Sequence, residues 1–227
     1  MNKTLSNTVI VLMLVSAWLG QDLQAMGGNF GEVGSQITVR VANYAEVDRG
    51  TLQRAKRVAA NIFAKIGVKL VLVDVDLSKE EPYDKTTLFM DILTAPMAAR
   101  LGLHETAMGL APGKASQPNR NKVYVFAHAA ERLFQQVSKA RMAREIRWTV
   151  GRGDILGHIM AHEMGHILLN LNAHPGKGLM RGDWNLRELQ RAAVGHLIFT
   201  SNEGKQIRQE VELRQQLAAD ELAGHLY

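Results

Sequence analysis

The sequence predicts an α+β fold, a mixed and mostly parallel sheet with helices packed on it, followed by a helical C-terminal subdomain. Three observations predict it. Short alternating apolar runs are interleaved with segments of helical periodicity, in the order strand, helix, strand, strand, strand, helix, between Gln36 and Met142. One later helix is apolar over most of its surface and yet carries several histidines. From Asn185 onward only helical periodicity follows.

Composition sets the outer limits. A chain of 227 residues, 46% hydrophobic and 22% charged, can bury the core of one domain of moderate size, which excludes global disorder. Lys and Arg number 27 against 22 Asp and Glu, a formal charge of +5 that permits an anionic partner without requiring one. With no Cys, the chain can hold no disulfide, Cys-based zinc finger, iron–sulfur cluster or thiol nucleophile. Any metal site must be built from His and carboxylates.

The elements follow in order. Lys3, the apolar run Thr8 to Leu19 and the small-residue end Leu23-Gln24-Ala25 read as a secretory signal peptide over residues 1–25. The run falls short of the roughly 20 residues a spanning helix needs, so an uncleaved membrane anchor is the lesser alternative. The mature protein is expected to be exported, to the periplasm or the medium. Residues 26–35 form a glycine-rich leader. Ile37, Val39 and Val41 alternate with polar residues in a strand over Gln36 to Ala42. Leu52, Ala55, Ala59, Ile62, Phe63 and Ile66 recur at helical spacing, with Asp48 as cap and Gly67 as stop. Strands are predicted at Val68 to Val75, Thr86 to Leu93 and, after a Gly/Pro-rich loop, Lys122 to Ala127; His128 to Met142 reads as helix. Asp154 is placed to cap the next helix, which runs to about Asn172 before Pro175, Gly176 and Gly178 forbid continuation. Two helices follow, Leu186 to Phe199 and Asn202 to about Leu222, the last highly charged and expected to lie across the surface as a brace.

His162-Glu163-Met164-Gly165-His166 is an H-E-x-x-H motif within that apolar helix. Four helical residues advance 400°, so the two imidazoles lie about 40° apart around the axis and about 6 Å along it, within reach of one zinc ion. Glu163 projects about 100° away from His162. Its carboxylate can therefore stand over an open metal position, take a proton from water and pass it to a leaving amine. Burying two imidazoles and a carboxylate on one stripe without a metal would be costly. A catalytic zinc needs a third protein ligand. His174, just past the helix end, is the nearest candidate, since Asn170 and Asn172 tolerate the left-handed backbone of a sharp turn. Asp183 and Glu188 are the carboxylate alternatives. His158 lies one turn before His162, but a His158/His162 pair would leave Glu163 badly placed, so it reads as a supporting or core residue. His104, His128, His196 and His225 have no partner at ligand spacing.

From His162 to His174, and on through Gly178-Leu179-Met180, the chain resembles the metzincin clan of zinc peptidases, and small exported bacterial metallopeptidase-like proteins in particular. The strand and helix order from Gln36 to Ala127 is similar to that clan's N-terminal subdomain. The resemblance implies a zincin-like fold, Zn2+ as cofactor, a peptide or protein substrate, His174 as third ligand and Met180 beneath the metal in a methionine turn. It also implies that Ala107 to Pro112 forms a sheet edge pairing with an extended peptide; the residues alone allow an ordinary loop there. The chain departs from the pattern H-E-x-x-H-x-x-G-x-x-H. Leu169 stands where the pattern has Gly, Asn172 where it has the third His, and His174 comes two residues late.

The resulting expectation is a monomeric, exported zinc metalloendopeptidase. Residues 36–174 carry the catalytic subdomain and 175–227 the helical C-terminal one, with His162, His166 and His174 as metal ligands and Glu163 as general acid/base. Its rivals are a zinc hydrolase with Glu188 as third ligand and a non-catalytic protein that keeps a structural metal. The basic run Lys139, Arg141, Arg144, Arg147 and Arg152 reads as a solvated helix face, so no nucleic-acid partner is expected.

Overall fold

The computed structural model describes residues 34–76, 87–102, 106–112, 121–171 and 174–224. The expected signal peptide, nearly all of the leader, His104, Asn172 and His225 lie outside the described residues. The fold belongs to the unit that begins at Ser35.

It is α+β, with a five-stranded mixed sheet. The strands are β1 (Gln36–Asn43), β2 (Lys69–Asp74), β3 (Leu88–Leu93), β4 (Gly109–Leu110) and β5 (Lys122–Phe126), in the order β2-β1-β3-β5-β4. β1 runs parallel to both β2 and β3, and β3 parallel to β5, in registers that set Gln36 opposite Lys69, Val39 opposite Leu88 and Phe89 opposite Lys122. Among the described strands only β4 is antiparallel, with Gly109 opposite Val125, and it closes one edge. Alternation sends Ile37, Val39, Val41, Leu88, Met90, Ile92, Val123 and Val125 into the core.

Parallel pairing of β1 and β2 requires a crossover, and α1 (Arg49–Ala64) supplies it. As expected, Asp48 caps α1, accepting from the Thr51 N–H at 2.9 Å, and Gly67 follows its end at φ 76°. The helices that follow are α2 (Ala95–Ala99), α3 (Ala127–Met142), the motif helix α4 (Arg152–Leu169) and α5 (Leu186–Ala193), and α3 and α5 both pack on α4. The C-terminal helix is α6 (Ser201–Gly224). α4 is buried along nearly its whole length, between α1, the sheet and α6. Glycines permit its close approach to α1: a Cβ on Gly157 would meet the Ala55 carbonyl at 2.5 Å and the Val58 side chain at 2.7 Å.

Four features depart from the sequence reading by more than two residues. α4 is capped by Gly151, not Asp154; Asp154 sits three residues in, accepts from the Gly151 N–H at 3.2 Å and holds the Arg54 guanidinium. An acid there satisfies the cap N–H and faces the positive helix end, which makes the two positions hard to tell apart from sequence. α4 stops at Leu169, because Asn170 already takes the left-handed conformation (φ 51°, ψ 42°). α5 stops at Ala193, with Gly195 at φ 71°, and Leu197 and Phe199 continue as buried residues of an extended segment in which the Ile198 carbonyl accepts from the Leu179 N–H at 3.0 Å. The expected loop after β3 contains α2, capped by Thr94.

α6 starts with a reciprocal cap: the Thr200 N–H donates to Glu203 at 2.6 Å and the Glu203 N–H to the Thr200 hydroxyl at 3.3 Å. Ile207 and Val211 bury against the core. Arg208 donates to the Ile66 carbonyl at 2.7 Å, Arg214 to the Asn121 side chain at 2.9 Å, and Ser35 to Glu212 at 2.9 Å. The helix thus ties together the start of β1, the end of α1 and the approach to β5. Among the described residues no helix is long and apolar enough to cross a membrane.

Candidate metal centre

α4 presents His162, Glu163 and His166, and the left-handed turn at Asn170 brings His174 back toward them. The ring nitrogens of His162, His166 and His174 lie within 4.8 Å of one another. Their other ring nitrogens decide what the cluster can do. Nδ1 of His162 donates to the Leu179 carbonyl at 2.8 Å, and Nδ1 of His166 to the Leu171 carbonyl at 2.8 Å. A carbonyl only accepts, so both protons sit on Nδ1 and both Nε2 atoms carry lone pairs.

Those Nε2 atoms are 3.0 Å apart, and Nε2 of His174 is 3.1 Å from that of His166. Facing lone pairs cannot hydrogen-bond to each other; a shared cation satisfies them. Nitrogen donors in this number and convergence suit a tetrahedral ion such as zinc with one position left open. Burial, aided by the neighbouring imidazoles, pushes His162 down to about 3, and burial also holds His166 below its ordinary value. Both rings are therefore neutral, the state a metal requires.

Glu163 is 3% exposed and borders a cavity of about 670 Å³ lined by Thr106 to Ala111, the three histidines, Pro175 and Asp183, among others. Burial pushes its carboxyl up to about 8. Gly109 of β4 lies directly on it: a Cβ there would meet Glu163 Cδ at 2.5 Å and Cγ at 2.6 Å. Within the segment Ala107 to Pro112, Gly109 and Leu110 form the edge strand β4 at the rim of this cavity. Met180 is fully buried against the motif helix, where a Cβ on Gly165 would strike its Sδ at 2.5 Å.

The carboxylate alternatives are placed elsewhere. Glu188 is buried in the first turn of α5, accepting from the Asn185 N–H at 3.3 Å and facing Arg181 at 3.5 Å. Asp183 is exposed on the cavity wall and outside the three-histidine group. His158 donates from Nδ1 to the Asp154 carbonyl at 2.7 Å and meets the edge of Trp184, as a core residue. His128 stacks on Phe126, and His196 is exposed beyond α5. Arg152 of the basic run pairs with Glu131. The contributions of Gly109 and of the Leu171 and Leu179 carbonyls have no signal in the sequence, since main-chain groups and missing side chains form no motif.

No family model matches this chain, and no curated protein matches it. Among solved structures, a zinc-dependent peptidase from Methanocorpusculum labreanum is similar at 14% sequence identity and a TM-score of 0.43, over 74% of this chain and 99% of that one.

Proposed function

We propose that the protein is an exported, metzincin-like zinc metallopeptidase, with His162, His166 and His174 holding the ion and Glu163 moving the proton. One observation carries this reading: the Nε2 lone pairs of His162 and His166 face each other at 3.0 Å while both Nδ1 protons are tied to main-chain carbonyls. When bound, zinc supplies Lewis acidity toward water and the scissile carbonyl.

The remaining work falls to the chain. Beside a bound dication, Glu163 would be held in its carboxylate form against the effect of burial. That carboxylate takes a proton from the attacking water as the oxygen adds to the carbonyl carbon. It returns the proton to the amide nitrogen as the C–N bond breaks. A proton affinity raised by burial suits the holding step. Among the described residues β4 ends the sheet, so an extended peptide can add to its outer edge beside the cavity, with Gly109 keeping the rim shallow over Glu163. Met180 supports α4 beneath the cluster. The segment 1–25 directs export.

Metal analysis of the purified protein with a general peptide assay tests the reading. It predicts about one zinc per chain, as one three-histidine site requires, and hydrolysis abolished by a chelator. A chain that takes up no zinc, or hydrolysis that survives its complete removal, overturns it.

A further inference from the structure

The three imidazoles are not held alike. His162 and His166 are each oriented by a hydrogen bond from Nδ1 to a main-chain carbonyl. Among the described residues no such partner holds Nδ1 of His174, and this side chain is the exposed one of the three. Its ring stacks on that of His162, with centroids 5.3 Å apart, and meets His166 edge-on at 4.8 Å. Gly182, across the turn, lies against His174: a Cβ there would meet His174 Cγ at 2.9 Å, Nδ1 at 3.0 Å and Cβ at 3.2 Å. Those are the three nearest atoms it would meet, and all belong to this one side chain. The φ of Gly182 lies outside the left-handed region, so the backbone does not need glycine there. What glycine provides is space.

We propose that Gly182 is a positioning residue, whose missing side chain seats the His174 imidazole in the cluster with His162 and His166. The proposal rests on the reading of His174 as a metal ligand. A methyl at position 182 displaces the ring away from Gly182, and among the described residues no hydrogen bond at Nδ1 returns it to its aim. His162 and His166 keep their own Nδ1 hydrogen bonds to the Leu179 and Leu171 carbonyls, neither of which is among the three atoms nearest the added group. Partners that orient a metal-bound His are typically worth roughly 10–100-fold in metal affinity. Here packing fills that role.

The test is a double-mutant cycle in zinc affinity, read by competition with a chromophoric chelator. The cobalt(II) visible spectrum reports ligand geometry in parallel. Gly182→Ala is expected to weaken zinc by roughly 10–100-fold and to alter the cobalt spectrum. In a His174→Ala background the same substitution is expected to change nothing, because the ring it acts on is gone. Unchanged affinity in Gly182→Ala, or an equal loss in both backgrounds, overturns the proposal. If His174→Ala alone leaves affinity untouched, the ligand assignment has failed, and the proposal with it. Should Gly182→Ala misfold, the double variant decides: recovery of the fold supports contact with the ring, and failure to recover rejects it.

Discussion

At the scale of single residues, burial and charge pull Glu163 and its neighbours in opposite directions. Folded His162 stays neutral down to about pH 3, whereas the unfolded chain protonates it near 6.5. Its contribution to stability is complete above 6.5 and is lost as the pH falls toward 3, and His158 and His166 act in the same sense. Glu163 behaves inversely. Its carboxyl, pushed up to about 8, stays protonated where the unfolded chain ionises near 4.5, so its contribution is full below 4.5 and lost as the pH rises toward 8. The metal-free protein is therefore expected to lose stability between pH 6.5 and 8, at up to about 1.4 kcal/mol per pH unit. Glu163→Gln should remove that loss. Urea unfolding at the two ends of the interval checks this, and an equal loss in the variant contradicts it. With zinc present, Glu163→Gln is expected to keep the metal and lose hydrolysis by orders of magnitude, since its carboxylate lies outside the three-histidine group. Loss of zinc along with activity would assign Glu163 a different role.

Elements add constraints that single residues do not show. α4 owes its depth to glycine at Gly153 and Gly157, so Gly157→Val should force α4 and α1 apart. Overpacking of this kind costs about 1–3 kcal/mol, visible as a lowered urea midpoint. β4 behaves differently. Gly109→Ala is expected to displace either Glu163 or the edge strand, lowering kcat while zinc content stays at the wild-type level; a normal kcat would show that the rim yields without cost. Periodicity made β1, β2, β3, β5, α1, α3 and α4 legible in the sequence, because each is long enough to repeat its pattern. α2 spans five residues and β4 two, too few for any period. The end of α5 misled for a physical reason: Leu197 and Phe199 fit a continuing helix, yet they are equally two apart on a strand, and Gly195 turns the chain between the two readings. His162, Glu163 and His166 were legible as a motif. Where His174 would lie depended on the turn at Asn170, which sequence permits without requiring.

For the molecule as a whole, α6 couples distant segments. Arg214 is buried and donates to Asn121, so Arg214→Ala leaves that amide without this donor and should cost about 1–3 kcal/mol. Zinc affinity should not change, because Arg214 and Asn121 both lie outside the residues that line the metal cavity. A melting curve and a zinc titration on the same variant separate the two effects. The two main-chain carbonyls that hold the ring protons of His162 and His166 have a consequence for inheritance. A hydrogen bond from a peptide group survives any side-chain change that leaves the backbone path intact, so positions 171 and 179 can drift among apolar residues while the tautomers stay set. Lineages that keep this site can thus diverge around it, and a screen of random substitutions for loss of metal should recover histidine and glycine positions far more often than the two leucines whose carbonyls aim the imidazoles.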